Sequence, residues 1–405
     1  MKAPLTGQIW QQAQELLPWL TQVRRDFHQY PELGMEEFRT QEQIIRYLEE
    51  IGIPYCKSAG TGVVGVIEGA APGAVVALRG DMDALPIHEQ NDTLYRSQVP
   101  GKMHACGHDA HMTCLLGAAR ILNALRGELS GVVKLFFQPA EETVGGALPM
   151  IREGVLDNPR VEAVFGLHVS ADLPAGKIAV KYGQMNAASD DAHITVRGEN
   201  GHGAYPHKGR DAIVIAAHVI TALQTVVSRN VDPREAAVVT IGMIAGGTAP
   251  NILAQEVKLT GTIRTLDKNV RALVKERVRE VAELTARSLG GSAQVEFAEG
   301  YTSLINDKEL VDQVKRCGEA LLGSGNVRVN DFPMMGVEDF AFFAEQVPGA
   351  FYHLGVRNEE KDCIYPVHHP RFDIDERSLA VGAAMQAYNA IAFLQERALR
   401  SQAEK

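Results

Sequence analysis

The chain has 405 residues and a formal net charge of −10, and it contains no run of Lys or Arg. This balance argues against nucleic acid or an anionic membrane surface as a partner. Hydrophobic residues make up 45% and charged residues 22%, which is typical of a soluble globular protein with about two or three domains. The five cysteines are scattered without a C-x-x-C pair, so we expect a reducing compartment and a cytoplasmic location. Residues 1–21 lack the apolar core of a signal peptide, and no apolar run approaches transmembrane length, so no membrane partner is expected.

Strands and helices alternate in the first part of the chain. The patterns predict helices over 8–28 (kinked or broken at Pro18) and 38–51, and strands over 60–68, 74–78, 132–137 and 161–165. This alternation favours a largely parallel sheet, and ligands of such sheets bind beyond the carboxyl ends of the strands. Five residues fall at such strand ends and are expected to line one site: Asp81, Asp83, Glu141, Glu142 and His168.

The segment 103–112 concentrates residue types that ligate transition metals. It holds a thiol, a carboxylate and three imidazoles within ten residues. Cys106 and His108 are two apart, and Gly107 between them allows a tight turn. Asp109 then resembles a helix N-cap, and the N-terminus of that helix would favour the thiolate of Cys106 over the thiol. A buried structural Cys among surface histidines is the alternative, which this density of donors disfavours.

A second pattern begins after about Tyr182. Strands are predicted over 192–198, 237–245, 256–265 and 293–297, with helices over 211–228 and 269–289. This β-α-β-β-α-β order is ferredoxin-like. We therefore predict an α/β protein in which residues 1–185 and 299–405 form a metal-binding catalytic domain with a mostly parallel sheet and helices on both faces. Residues 186–298 form an inserted α+β lid domain in this interpretation.

Five potential metal donors stand out in the whole chain: Cys106, His108, Glu142, His168 and His368. One zinc-type ion usually takes three or four protein ligands, so five donors with a spare acid suggest two ions that share a bridging ligand. The mixture of sulfur, nitrogen and oxygen favours zinc or manganese over calcium or magnesium, with cobalt and nickel also compatible.

The ordered series of motifs resembles a known family over nearly the whole chain. It is similar to the two-domain metallo-amidohydrolases that include carboxypeptidase G, aminoacylase, hippurate hydrolase and the indole-3-acetyl amino acid hydrolases, and most of all to the hippurate and auxin-conjugate hydrolase branch. The motifs are R-G-D-M-D-A-L-P at 79–86, M-H-A-C-G-H-D-A-H at 103–111, Q-P-A-E-E at 138–142, G-L-H at 166–168, G-H-G-A-Y-P-H at 201–207, G-G-T-A-P-N at 246–251 and G-T-I-R at 261–264.

The resemblance implies a role for each site residue. It makes the five donors the metal ligands, with Cys106 as the bridge, Glu141 as the general base and Asp83 as the acid that orients a ligand. The chain departs from the aminoacylase and carboxypeptidase branches at Asp81, where they carry a metal-binding His.

Two further positions differ from a simple match to the family. His369 is a second candidate ligand beside His368, which we prefer because it precedes the small-or-His and Pro of the family pattern. Val337 stands where the family has Ser in a G-S-E-D-F loop, so this position offers no hydroxyl.

Amide hydrolysis would follow from these residues. A metal pair generates a hydroxide nucleophile, and a carboxylate that is not a ligand must carry the proton to the leaving amine. His202, from the inserted domain or a partner subunit, is a candidate donor to the oxyanion, and Asn251 and Arg264 could bind a substrate carboxylate. From the residues alone, His202 could equally be a surface residue and Arg264 a solvated charge.

Three functions compete. The first is an amidase that removes the acyl group from a small-molecule N-acyl amino acid. The second is a dipeptidase or aminopeptidase with the same two-metal site, which would need a further acid for the free amino group. The third is a non-catalytic metal-binding relic, which Glu141 argues against because a relic commonly loses its base. A homodimer or higher oligomer through the inserted domain is a further expectation.

Overall fold

The computed structural model describes residues 5–403 and contains helices and strands throughout the chain. The helices are α1 (Leu5–Gln29), α2 (Phe38–Ile51), α3 (His108–Ala124), α4 (Ala147–Arg152), α5 (Ala212–Asn230), α6 (Lys268–Ser288), α7 (Lys308–Leu322), α8 (Phe340–Gln346) and α9 (Ser378–Ala403). The strands are β1 (Tyr55–Ser58), β2 (Gly62–Glu68), β3 (Ala71–Asp81), β4 (Ser130–Gln138), β5 (Ala163–Pro174), β6 (Ile178–Val180), β7 (Gly183–Asn186), β8 (Ala188–Arg197), β9 (Gly201–His202), β10 (Ala237–Gly246), β11 (Ile252–Leu253), β12 (Glu256–Thr265), β13 (Ser292–Glu299), β14 (Leu304–Asn306), β15 (Val327–Val329) and β16 (Gly349–Arg357).

Most predicted elements have their expected type, but two helix boundaries differ. Helix α1 is a single helix of 25 residues that continues through Pro18, so the predicted break is wrong. Helix α3 begins at His108 after Gly107, whose φ of +85° places it in the left-handed region. Asp109 is therefore a first-turn residue and not the N-cap, because the turn at Gly107 starts the helix two residues earlier than the carboxylate of Asp109 suggested.

The first of two compact units, called unit 1, includes everything described up to Gly183, then Ile305–Phe332 and everything described from Phe342 onward. Its eight-stranded sheet has the order β1-β2-β4-β3-β5-β16-β6-β15. The central pairs β4/β3, β3/β5 and β5/β16 are parallel, whereas β1/β2, β2/β4 and β16/β6 are antiparallel. The prediction of a mixed α/β fold around a large, mostly parallel sheet is thus confirmed.

The core of unit 1 explains why its strands are continuous apolar runs in the sequence. Strand β4 is buried from Val133 to its last residue, Gln138, and β16 is buried over nearly its whole length. Strands that are covered on both faces need apolar side chains at every position, so they show no alternation. Helix α3 is buried along most of its length as well, from His108 to Leu122, which places the metal-type residues of its first turn inside the protein.

The second unit, called unit 2, comprises Gln184–Leu304 and Pro333–Ala341. Its antiparallel sheet has the order β10-β12-β8-β13, and α5 and α6 follow β8 and β12 along the chain. Buried residues of both helices pack with the sheet in a separate core. Asp211 caps α5 by accepting from the backbone N–H of Ile213, and Asp267 caps α6 in the same way through Asn269 and Val270.

Helix α5 departs from one sequence expectation. With 19 residues and a mean hydropathy of 1.6 it is long and apolar enough to cross a membrane, so the statement that no apolar run approaches that length is wrong. Its buried residues, including Val219, Leu223 and Val226, belong to the core of unit 2. Only 33% of this apolar window is buried, so packing in unit 2 accounts for one face of the helix.

Candidate metal centre and active site

The site lies where the central strands of unit 1 end. Asp81 is the last residue of β3, Asp83 follows it, and the Glu141–Glu142 pair comes shortly after β4 ends at Gln138. His168 lies inside β5, because that strand continues to Pro174, well beyond its pairing with β3 at Gly166. The prediction of a strand end at His168 was therefore too early, although the residue does extend past the neighbouring strand.

Gly107 brings Cys106 and His108 close to this edge. A Cβ atom at Gly107 would collide with Cγ2 of Val169 and would lie 3.4 Å from Cζ of Phe372. Its φ of +85° is also one that residues with a side chain rarely adopt. Only glycine therefore allows the chain to turn into α3 while it packs against β5.

Two sets of three donor groups share the Cys106 thiol. In each set the candidate ligand atoms lie within 4.8 Å of one another: Cys106, His108 and His168 in one, and Cys106, Glu142 and His368 in the other. Cys106 Sγ is 3.3 Å from His168 Nε2, and Glu142 Oε1 is 3.0 Å from His368 Nε2. The five predicted donors thus meet at one place, and the Cys106 sulfur belongs to both sets.

Two buried polar atoms support this interpretation. Within residues 5–403, His108 Nε2 and Glu142 Oε1 are buried and have no hydrogen-bond partner of good geometry. A buried polar atom without a partner is costly, and metal coordination is one way to satisfy it. The donor set also has the sulfur, nitrogen and oxygen composition of a transition-metal site, so these residues fit such ions.

Asp83 holds both sides of the site together. Its Oδ1 lies 3.2 Å from His108 Nδ1 and accepts from the backbone N–H of Glu141, while its Oδ2 accepts from the backbone N–H of Glu142. With Nδ1–H bound to Asp83, the lone pair on His108 Nε2 is left for a cation. One carboxylate therefore orients an imidazole and the loop that carries both glutamates.

The backbone on either side of the site is also held in unusual conformations. Ala140 has a φ of +56°, and its N–H donates to Oε1 of the buried Glu37 at 2.8 Å. His368 has a φ of +66°, and its N–H donates to the carbonyl of Ala105 at 2.8 Å. Left-handed conformations are unfavourable for residues with a side chain and persist where the surroundings enforce them.

The structure distinguishes His368 from His369. His369 Nδ1 accepts from the backbone N–H of Arg371, and its ring stacks on Tyr365 with the ring centroids 4.6 Å apart. His368 instead reaches Glu142. Of the two neighbours, His368 is the one that joins the donor cluster.

Asp81 lies next to the cluster and forms a further possible donor set with His108 and His111, but both of its oxygens make hydrogen bonds. Its Oδ1 is 2.6 Å from His111 Nδ1, and its Oδ2 accepts from Arg79 Nη1 at 2.7 Å. Burial opposes its ionisation, but the charges of Arg79 and His108 outweigh burial and hold the pKa of Asp81 well below its usual range. Arg79 and His111 were not among the site residues predicted from the sequence, although the R-x-D spacing and the third histidine of the motif indicate them.

The carboxylates create a strongly negative environment. Burial lowers the pKa of His108, yet Asp81, Asp83 and Glu142 together raise it to about 10. For Cys106, burial and the neighbouring glutamates raise the thiol pKa well above its usual value. The prediction that Cys106 is a thiolate is therefore wrong when only the groups of the protein are considered. Burial and the carboxylates raise the thiol pKa, and they outweigh the effect of the helix N-terminus. Cations bound between these groups would lower both pKa values.

The remaining predicted residues lie in unit 2. His202 on β9 pairs with Ile252 on β11, and Asn251 precedes that strand and accepts from the N–H of Gly203 through its carbonyl. His202 is exposed, and its Nδ1 accepts from the backbone N–H of Ala204 at 3.1 Å, so Nε2 carries the proton and is a donor. Arg264 is a partly buried residue of β12. His202 and Asn251 are thus neighbours, while Arg264 lies on another strand of the same unit.

An α/β unit that gathers a thiol, imidazoles and carboxylates beyond its parallel strands has the composition of a metallohydrolase site. Residues 77–390 match the model of Peptidase family M20/M25/M40. The chain belongs to this family, whose members hydrolyse amide bonds, so the prediction of a hydrolase is confirmed.

Individual relatives agree with this assignment. The chain is 39% identical to thermostable carboxypeptidase 1 of Saccharolobus solfataricus, over 96% of this chain and 99% of the relative. It is 41% identical to IAA-amino acid hydrolase ILR1-like 2 of Arabidopsis thaliana, over 95% of this chain and 87% of the relative. The crystal structure of the YXEP protein of Bacillus subtilis, described as a dinuclear metal binding peptidase of the M20 family, superposes with a TM-score of 0.83 at 35% identity, covering 94% of this chain and 99% of that one. The resemblance to the auxin-conjugate hydrolase branch is thereby confirmed.

Proposed function

We propose that this protein is an amidohydrolase that uses two divalent cations to cleave the amide bond of N-acyl amino acids. The observation that carries the proposal is the pair of donor sets that share Cys106. The solved relative described as dinuclear supports two ions per chain. Zinc or manganese suit the donors best, with cobalt and nickel as further candidates.

Each ligand has a defined place in this proposal. Cys106 would be held in common by the two cations, His108 and His168 would complete one set, and Glu142 and His368 would complete the other. His168 supports this role because its Nδ1–H donates to the carbonyl of Val169 at 2.7 Å, which leaves the Nε2 lone pair for a cation. When bound, the ions polarise the amide carbonyl and acidify a water molecule.

Glu141 is the proposed general base. One of its carboxylate oxygens lies within 4.8 Å of a carboxylate oxygen of Glu142 and of a ring nitrogen of His108. Glu141 is buried and belongs to neither donor set that contains Cys106. It can therefore take a proton from water and deliver it to the leaving nitrogen. Burial of the site keeps bulk water away from this transfer.

Residues 186–298, which lie within unit 2, are proposed to act as the inserted, ferredoxin-like lid. The Nε2–H of His202 would donate to the oxyanion, and Asn251 and Arg264 would bind the substrate carboxylate. Replacing His202 by Ala should then lower kcat by about 100-fold or more without changing metal content. An unchanged kcat would remove His202 from the mechanism.

A peptidase activity is the second candidate, because a close relative is named a carboxypeptidase. A carboxypeptidase substrate also presents an acylated amino acid with a free carboxylate, so the same anchors would serve. A hydrolysis panel with metal-loaded protein separates the candidates: N-acetyl, N-benzoyl, long-chain and indole-3-acetyl amino acids beside dipeptides and blocked peptides. The proposal expects the highest kcat/KM among the N-acyl amino acids, and faster hydrolysis of dipeptides with a free amino group would contradict it.

The protein is proposed to form a homodimer through unit 2. Strand β10 is an edge strand, and its Met243 and Ile244 are exposed, as are Ile213 and Val214 of α5. Exposed apolar side chains along a free sheet edge favour association. Sedimentation of the wild type and of Met243→Asp tests this, and a monomeric wild type would contradict it.

The cytoplasm is the proposed location, consistent with five free cysteines.

A further inference from the structure

A chain of buried hydrogen bonds runs behind the donor cluster. Gln138 Oε1 accepts from Arg79 Nε at 2.9 Å, and Arg79 Nη1 donates to Asp81 Oδ2 at 2.7 Å. Asp81 Oδ1 is 2.6 Å from His111 Nδ1, and His111 Nε2 accepts from the backbone N–H of Val169 at 2.9 Å. These hydrogen bonds therefore link the ends of β4 and β3 to Val169 inside β5 through His111 in the first turn of α3.

These contacts determine the protonation of His111. Because the Val169 N–H is a donor, His111 Nε2 must be an acceptor and carries no proton. Its proton is then on Nδ1 and points to Asp81. The ring is neutral and cannot ligate through Nε2, while the ionised Asp81 is balanced by the Arg79 guanidinium. Both carboxylate oxygens of Asp81 and both ring nitrogens of His111 thus make hydrogen bonds, although the two residues also form a possible donor set with His108.

The far end of the chain meets a proposed ligand. Val169 uses its N–H for His111 and its carbonyl for the Nδ1–H of His168. The rings of His111 and His168 also lie edge to face, with centroids 4.6 Å apart. The peptide groups of Val169 thus connect His111 to the ring that faces Cys106 Sγ at 3.3 Å. A shift of this strand segment would move the His168 ring and break the hydrogen bond that keeps its proton on Nδ1.

We propose that His111, supported by Asp81 and Arg79, is a positioning residue that fixes the orientation and tautomer of His168 and so sets the affinity of one of the two cation sites. The inference rests on the proposed function, because it assumes that His168 is a ligand. His111 should therefore affect the cation affinity of the set formed by Cys106, His108 and His168. The affinity of the set with Glu142 and His368 should stay largely unchanged.

Titration of the metal-depleted protein with Co²⁺ tests the proposal. The wild type should bind two ions with a thiolate-to-cobalt absorption band. His111→Leu removes both hydrogen bonds and should weaken one binding step by about 10-fold to 100-fold, while the other changes little. His111→Gln can still accept from Val169 and donate to Asp81, so it should recover most of the lost affinity.

A matched control separates positioning from general destabilisation. Val314→Ala creates a cavity in the buried core on α7, which carries none of the proposed ligands. It should lower the melting temperature and leave both Co²⁺ steps unchanged. Equal weakening in Val314→Ala and His111→Leu, or equal affinity in His111→Leu and the wild type, would overturn the proposal.

A second measurement needs no variant. In the wild type labelled with ¹⁵N-histidine, nitrogen chemical shifts should report His111 and His168 as neutral rings protonated at Nδ1. A cationic His111, or one protonated at Nε2, would overturn the proposal. Failure of the wild type to bind two Co²⁺ ions would instead contradict the proposed function, so the two failures are distinguishable.

Discussion

A buried charge network beneath the donor cluster predicts a measurable loss of stability at alkaline pH. His28 is completely buried, with Nδ1 2.7 Å from Asp109 Oδ2 and Nε2 3.1 Å from Glu89 Oε1. Burial and the nearby Arg24 charge lower its pKa, but Asp109 and Glu89 outweigh them and raise the pKa of His28 to about 9. The ring is therefore protonated at neutral pH and donates to both carboxylates.

The size of the effect follows from the difference between the folded and unfolded pKa values. A rise from the ordinary value of 6.5 to about 9 corresponds to about 3 kcal/mol of stability when the ring is protonated in both states. About 2.5 kcal/mol of this remains at pH 7, where the unfolded ring is mostly neutral. Because the folded pKa is the higher one, stability is lost as pH rises through 9 and is nearly gone at pH 10.

Urea denaturation at pH 7 and pH 10, in excess chelator, measures this loss. The comparison is with His28→Gln, whose side chain can donate to one carboxylate but does not titrate. Other titrating groups are shared by the two proteins and cancel in the difference. The wild type should lose about 2.5 kcal/mol more than His28→Gln between the two pH values. Equal losses in the two proteins would show that His28 is not held protonated by this network.

Three further predictions concern catalysis and metal binding. Glu141→Gln should lower kcat by about 100-fold or more and retain two metal ions, whereas Glu142→Gln should lose metal affinity, as kinetics and elemental analysis can show. Cys106→Ser should weaken metal binding far more than Cys114→Ser, because Cys114 belongs to neither donor set and its Sγ is in the core, where it donates to the carbonyl of Leu379; metal titration ranks the two. Arg264→Ala should raise KM by about 10-fold for an N-acyl amino acid and much less for its carboxamide, measured by steady-state kinetics.

Each of these predictions can fail in a distinct way. Equal metal loss in Glu141→Gln and Glu142→Gln would remove the division between base and ligand. A loss of metal in Cys114→Ser comparable to that in Cys106→Ser would point to a different thiol. If Arg264→Ala impairs acid and carboxamide substrates alike, Arg264 is not the carboxylate anchor.

The sequence by itself determined which residues meet at the candidate site. Cys106 and His108 are close in the chain, so their spacing and the glycine between them already indicated a common direction. Asp83 and Glu142 could be placed because apolar runs before them predict buried parallel strands, whose carboxyl ends lie at one edge. These inferences depend on local pattern and on a general rule of sheet topology, and both can be applied to a linear sequence.

Only the tertiary structure decided what each polar group does. Asp81 and His111 carry donor atoms as suitable as those of the proposed ligands, but these atoms make hydrogen bonds with Arg79 and with the Val169 N–H. The thiol pKa of Cys106 is raised by burial and by glutamates from another strand end, against the expectation from its own helix. Hydrogen bonds and electrostatic interactions depend on distances between residues far apart in the chain, and a sequence pattern does not contain these distances.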